Sequence, residues 1–152
     1  MQELPKYMQQ IVKIKSKNAK LQPDRAHLTD AGADLRSTTD VEIYPGELKM
    51  VDTGVSVAIP VGFVGLVFNR SSQGKIEVQL ANAVGVIDSS YRGNVKVILK
   101  NKGVDPYFIK AEDTRIAQLV ITPIMLAYFE EYTGDDWENT VRGTGGFGST
   151  GS

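Results

Sequence analysis

Apolar residues recur along this chain at every second position in short runs, and almost nowhere at helical spacing. IVKIKSK (11–17) sets Val12 and Ile14 against Lys13, Lys15 and Lys17. Period two predicts a half-buried strand, and its lysines suit a solvated edge that resists pairing with other chains. VEIY (41–44) is a second candidate, closed by Pro45-Gly46. Residues 48–59 read as a longer strand, with Thr53-Gly54 placed for a bulge and Pro60-Val61-Gly62 as its stop. VGFVGLVF (61–68) is unbroken apolar sequence and predicts a buried strand. Shorter strands are expected at 76–78, 84–87 and 108–109. NVKVILK (94–100) turns Val95, Val97 and Leu99 inward, and 116–122 is the last strong run. The one short helical turn expected lies around 70–75, where Ser71 and Ser72 can cap it. Many short strands punctuated by Gly and Pro, with no internal repeat, predict an all-β sandwich, barrel or jelly roll.

Composition narrows the classes. At 152 residues one domain is expected, and 41 % hydrophobic against 23 % charged residues suffices for a core. Lys plus Arg number 17 and Asp plus Glu 18, for a net charge of −1, which argues against stable nucleic-acid binding. The absence of cysteine excludes disulfides, thiolate nucleophiles and cysteine zinc sites. The single histidine, His27, sits beside Asp24 and Arg25 in a polar loop and reads as a surface residue. MQELPKYMQQ has no apolar core of a signal peptide, and the longest apolar run, eight residues, falls short of the ~20 that a spanning helix needs. No membrane association and a cytoplasmic location are therefore expected.

From residue 128 the character changes. YFEEYTGDDWEN (128–139) carries five acidic residues, with Trp137 reading as a packing anchor, and VRGTGGFGSTGS (141–152) carries five glycines. The chain thus divides into a β domain, 1–140, and a Gly-rich arm, 141–152. Such an arm is either a disordered tail or a segment that orders over a ligand. The Arg, the lone Phe and the Ser-Thr pair among its glycines favour the second.

Five segments carry candidate chemistry. Ala31-Gly32-Ala33-Asp34-Leu35-Arg36 sets a carboxylate among small residues. Asn69-Arg70-Ser71-Ser72-Gln73-Gly74-Lys75 offers a guanidinium, two hydroxyls and turn amides, which suit phosphate oxygens or serve as a structural cap. In the third, 82–93, Asn82 presents donors and an acceptor that match a nucleobase edge. Asp88 follows apolar residues as a general base would, and Tyr91 can pack on a sugar; a β-hairpin with a solvated Asp fits equally well. In Arg115-Ile116-Ala117-Gln118-Leu119-Val120, two polar residues interrupt an apolar strand and need partners. The fifth segment is the arm, with Arg142, Phe147, Ser149 and Thr150.

These five segments, in this order, resemble the five motifs of the homotrimeric dUTPases over most of residues 11–151. The resemblance implies a jelly roll assembled as a homotrimer, with each site between subunits and the arm closing over it. It implies hydrolysis of dUTP to dUMP and pyrophosphate, which keeps uracil out of DNA and supplies dUMP. Asp88 would be the base for water attack on the α-phosphorus. Asn82, with backbone groups at Val86 and Ile87, would read uracil in a tight hairpin. Tyr91 would crowd the sugar 2′ position, and Lys96 would line the pocket. Arg70, Ser71 and Ser72 would cradle the α- and β-phosphates, with Gln118 on the phosphate side. Arg115 would hold a carboxylate across the interface, and Asp34 would lie near the metal's water shell. In the arm Phe147 would lid the uracil, and Arg142, Ser149 and Thr150 would meet the γ-phosphate, with Gly148 among the contacts. Mg²⁺ would arrive on the triphosphate with no protein cage.

The sequence also departs from the family pattern. Asn69 stands where Pro or Gly often precedes the arginine, and the loop to Glu77 is about one residue shorter and lacks a usual glycine. A deaminase of the same superfamily would need a glutamate near Ile98, and Val97 and Leu99 flank it instead, so no deamination is expected. The rival of another class is a non-catalytic or dual-role nucleotide-sensing module that binds a regulatory partner through 128–139.

Overall fold

The computed structural model describes residues 5, 6 and 9–146. Among them are ten strands: β1 (Lys13–Ser16), β2 (Ala33–Arg36), β3 (Val41–Ile43), β4 (Leu48–Ala58), β5 (Phe63–Phe68), β6 (Val78–Leu80), β7 (Gly85–Ile87), β8 (Asn94–Asn101), β9 (Tyr107–Ile109) and β10 (Arg115–Pro123). They form one sheet in the order β1-β4-β8-β6, a second in the order β2-β10-β5-β7, and a small pair, β3-β9. Every pairing is antiparallel.

The alternation in the sequence is the reason. Val51, Val55 and Val57 of β4 and Val95, Val97 and Leu99 of β8 point to one side and are fully buried. Leu35, Val67, Ile116 and Leu119 join the same core from the other sheet. Each such side chain contributes roughly 1.5–3 kcal/mol on leaving water. β1 is an edge strand with exposed lysines, although Ile14 stays 39 % exposed. The bulge is where the sequence puts it: register shifts between Asp52 and Ser56, and Gly54 takes φ +65°.

Several boundaries differ from expectation. β5 begins at Phe63, because Gly62 at φ +86° turns the chain and leaves Val61 exposed. β6 begins at Val78, because Glu77 at φ +56° interrupts the extended backbone. Residues 82–93 do not form one hairpin. β6 pairs with β8 in one sheet while β7 crosses to pair with β5 in the other. β2 was not expected from sequence: its alternation of Ala33 and Leu35 with Asp34 and Arg36 spans only four residues, which are held extended by β10 and by a bridge between Asp34 and Asp24. After β10 the chain runs on through 124–146 without further strands. Met125, Tyr128, Phe129 and Trp137 are exposed there. Trp137 meets the ring of Tyr132, 5.4 Å between centroids, and is no anchor in the core.

Candidate functional site

Sheet register gathers three of the five segments. Gln118 of β10 pairs with Asp34 on one side and with Phe68 on the other. Asp34, Gln118 and the turn that follows β5 therefore meet at one end of the sheet. Arg70 opens that turn with an extended backbone. Its N–H donates to Gln73 Oε1 at 2.6 Å, and Gln73 Nε2 donates to the carbonyl of Ile116 at 2.8 Å. Gln73 is buried, so this side chain ties the turn to β10. Sequence reasoning passed over it, although a Gln three residues into a turn is the capping-box spacing.

Asp34 is the hub. Its Oδ1 accepts from Arg70 Nε at 2.6 Å, and its Oδ2 lies 3.4 Å from both Arg70 Nη2 and Arg115 Nε. Only 13 % of its side chain is exposed, so two guanidiniums offset the cost of burying its charge. Arg115 thus holds a carboxylate of its own chain, with 44 % of its side chain still exposed. With Nε engaged, Arg70 turns Nη1 to Ser72 Oγ at 3.3 Å and keeps donors free beside an exposed Ser71. Gln118 Nε2 donates to the carbonyl of Asn69 at 2.8 Å, and the Asn69 side chain accepts from the N–H of Leu80 at 2.7 Å. Gly32 leaves Gln118 its room: a Cβ there would lie 2.2 Å from Oε1.

Behind the hub, the N–H of Asp34 donates to the carbonyl of Asp24 at 2.7 Å. Arg36 grips the Asp24 carboxylate with both Nη atoms, at 2.5 and 3.2 Å. That hydrogen bond holds the Asp24 carboxyl below its ordinary 3.8, with burial opposing it, and the same bond raises Arg36. Burial pushes the Tyr107 hydroxyl up, with the charge of Arg70 opposing. A groove of about 750 Å³ runs beside Arg70, lined by Lys20, Asp24, Arg36, Ser72 and Arg115 among others.

The third segment lies elsewhere, and no residue of 82–93 lines that groove. Asn82 is exposed in a tight turn with Ala83 at φ +60°. Val86 is exposed and Ile87 half-buried on β7, opposite Leu66 and Gly65. Asp88 is exposed just past β7, and its carbonyl accepts from the N–H of Tyr91 at 3.1 Å. Lys96 is exposed on β8 opposite Asp52. Arg142 Nε donates to the carbonyl of Gly145 at 2.8 Å. Phe147, Gly148, Ser149 and Thr150 lie outside the described residues. His27 is exposed as expected. Among the described residues no group of three His, Cys, Asp or Glu side chains is placed to cage a metal.

Fold and site together define an antiparallel β domain in which an arginine-and-hydroxyl turn stands beside an open groove. Comparison with known proteins makes the class specific. The dUTPase family model matches residues 18–151. A deoxyuridine 5'-triphosphate nucleotidohydrolase of Corynebacterium glutamicum is 46 % identical over 130 residues, covering 85 % of this chain and 86 % of that protein. The protein of the same name from Cutibacterium acnes is 48 % identical over 124 residues, 80 % of each chain. A variant of the dUTPase of Staphylococcus phage 80alpha superposes with a TM-score of 0.81 at 29 % identity, over 93 % of this chain and 99 % of that one. A phage phi11 dUTPase variant, described as coordinating a structural Mg(II) ion, gives 0.75 at 26 %, over 84 % and 100 %. The chain belongs to the dUTPase family, whose jelly-roll β fold it shares.

Proposed function

We propose that this chain, as a dUTPase, hydrolyses dUTP to dUMP and pyrophosphate at sites completed between the copies of a homotrimer. One observation carries the shared site. The chain gathers Asp34, Arg70, Ser72, Arg115 and Gln118 at one end of a sheet, while Asn82, Asp88 and Tyr91 stand exposed away from the groove. A second copy supplying its 82–93 segment would bring base and cradle to one substrate.

In that site Arg70, Ser71 and Ser72 hold the α- and β-phosphates, with Arg70 aimed by Asp34. Gln118 supports the phosphate side through Asn69. The Asp88 carboxylate takes a proton from water as its oxygen attacks the α-phosphorus; the bond to the bridging oxygen breaks and pyrophosphate leaves. Asn82 with the main chain at Val86 and Ile87 reads uracil, Tyr91 crowds the sugar 2′ position, and Lys96 lines the pocket. Arg142 and the arm residues Phe147, Gly148, Ser149 and Thr150 close over the nucleotide and exclude water. Mg²⁺ bound to the triphosphate supplies charge neutralisation and one fixed phosphate geometry. The donor set fits this, because Asp34 has both oxygens on arginines and would meet such an ion only through water.

A cytoplasmic place, where uracil is kept out of DNA, goes with this reading; among the described residues no helix is long and apolar enough to cross a membrane. The test is pyrophosphate release from dUTP, dTTP, dCTP and UTP, with and without Mg²⁺. Release from dUTP alone, stimulated by Mg²⁺, is expected; comparable release from dTTP or UTP would contradict the reading. A second, compatible role has one support. Tyr128, Phe129 and Trp137 stand exposed among acidic residues, and phage 80alpha dUTPase is described as controlling transfer of virulence genes. Binding of a regulatory protein that is lost when 128–139 is replaced would establish that role.

A further inference from the structure

Tyr91 has a support that the motif does not contain. Its Oη donates to the carbonyl of Asn94 at 2.9 Å, folding the ring back along its own turn. Gly93 makes the room: a Cβ there would lie 2.5 Å from Oη and 2.7 Å from Cζ. The turn itself is exposed from 90 to 93, so the fixed point is Asn94, the first residue of β8.

A strand's first residue frays unless something holds it. Asn94 is held on both flanks. Its Nδ2 donates to both Asp52 carboxylate oxygens at 3.2 Å, and its Oδ1 accepts from Ser56 Oγ at 2.9 Å. Asp52 is fixed in turn, since Oδ1 accepts from the N–H of Gly54 at 2.7 Å and its carbonyl accepts from Thr38. The bulge of β4 makes this possible. Ladder pairing lapses between Asp52 and Ser56, and the Asn94 side chain bonds to both residues that border the lapse.

We propose that Asn94, clamped by Asp52 and Ser56 across the β4 bulge, is the positioning residue that fixes the Tyr91 ring and so sets discrimination against a ribose 2′-hydroxyl. This rests on the reading of Tyr91 as the sugar-facing residue. Asn94 touches no substrate; it acts through its carbonyl on Tyr91. Loosening the ring relaxes a steric exclusion, so UTP gains relative to dUTP while the phosphate machinery is untouched.

The experiment has two readouts on the full-length protein. The first is the ratio of kcat/KM for dUTP to that for UTP in wild type, Asn94→Ala, Tyr91→Phe, the double variant and Tyr91→Ala. Asn94→Ala is expected to lower the ratio by about three- to tenfold, the worth of a hydrogen bond or two. Tyr91→Phe, which deletes the tether, should do the same, and the double variant should fall no further. The second is fluorine NMR of 3-fluorotyrosine protein, the Tyr91 line identified by its loss in Tyr91→Phe. In Asn94→Ala that line should shift and narrow. Should Asn94→Ala fail to fold, Ser56→Ala removes one flank of the clamp and carries the same test. An unmoved Tyr91 line and an unchanged ratio in the folded variant would overturn the proposal. A shifted line with a ratio that even Tyr91→Ala leaves intact would instead overturn the sugar reading of Tyr91, with its support by Asn94 upheld.

Discussion

Glu77 is an L-residue held at φ +56°, a left-handed conformation that favours glycine. Replacing it with glycine tests whether the shortened loop is strained. A left-handed L-residue costs about 1–2 kcal/mol. Glycine avoids that cost but loses about 0.5–1 kcal/mol more entropy on folding. The Glu77 side chain is exposed, and the bond from the N–H of Lys102 to its carbonyl, 2.9 Å, survives the change. Glu77→Gly should therefore stabilise by about 0.5–1 kcal/mol, or about 1–4 °C in Tm for a chain of this size. Glu112, at φ +60°, is the internal control. Its carboxylate accepts from Asn18 Nδ2 at 2.6 Å and lies 3.7 Å from Lys20 Nζ. Glu112→Gly loses those contacts along with the strain, and should be neutral or destabilising. Thermal melts followed by circular dichroism at equal protein concentration measure both, with dUTP turnover as the check that the site is intact. A lower Tm for Glu77→Gly, or an equal gain from Glu112→Gly, would refute the strain argument.

Three further outcomes are expected. Asp88→Asn should lower kcat by about 10²–10⁴-fold with dUTP binding retained, as for loss of a general base; equal loss of binding would make Asp88 structural. Gly32→Ala should drive Gln118 off the Asn69 carbonyl, raising KM for dUTP by up to about tenfold, the worth of one hydrogen bond, while the fold persists; unchanged kinetics would remove Gln118 from the phosphate side. Because Arg36 holds the Asp24 carboxyl below 3.8, its pairing adds stability above that pH and loses it as pH falls through the lowered value. Asp24→Asn should thus be less stable than wild type at neutral pH and match it once Asp24 is protonated, as denaturant midpoints against pH would report; a gap that persists undiminished in acid would assign the effect to shape.

The strands that were legible in sequence are those with strict alternation. β4 and β8 give themselves away by valines at every second position, and the bulge by Thr53-Gly54. β2 was missed because ADLR, although Ala33 and Leu35 alternate with Asp34 and Arg36, is only four residues long; its conformation is held by β10 beside it. The strand switch between β6 and β7 was likewise hidden, since both runs alternate alike and only Gly85 packing on Val67 shows which sheet takes β7. In the site, Asp34, Arg70 and Gln118 could be named from residue type and order. Their partners could not: that Asp34 grips Arg115, and that Gln73 binds the carbonyl of Ile116, depends on contacts 81 and 43 residues apart along the chain. Asn94 was invisible for the same reason, its side chain spanning to Asp52 and Ser56.

The shared site is tested most directly by mixing two inactive variants. Arg70→Ala lacks the phosphate cradle and Asp88→Asn lacks the base. Each is purified, the two are unfolded and refolded together at equal amounts, and pyrophosphate release from dUTP is measured. If Arg70 and Asp88 of one site come from different copies, random assembly restores about a quarter of the sites, and activity should return to that order. If both residues serve from one chain, every site in the mixture carries a lesion, and activity no greater than that of the separate variants would contradict the account.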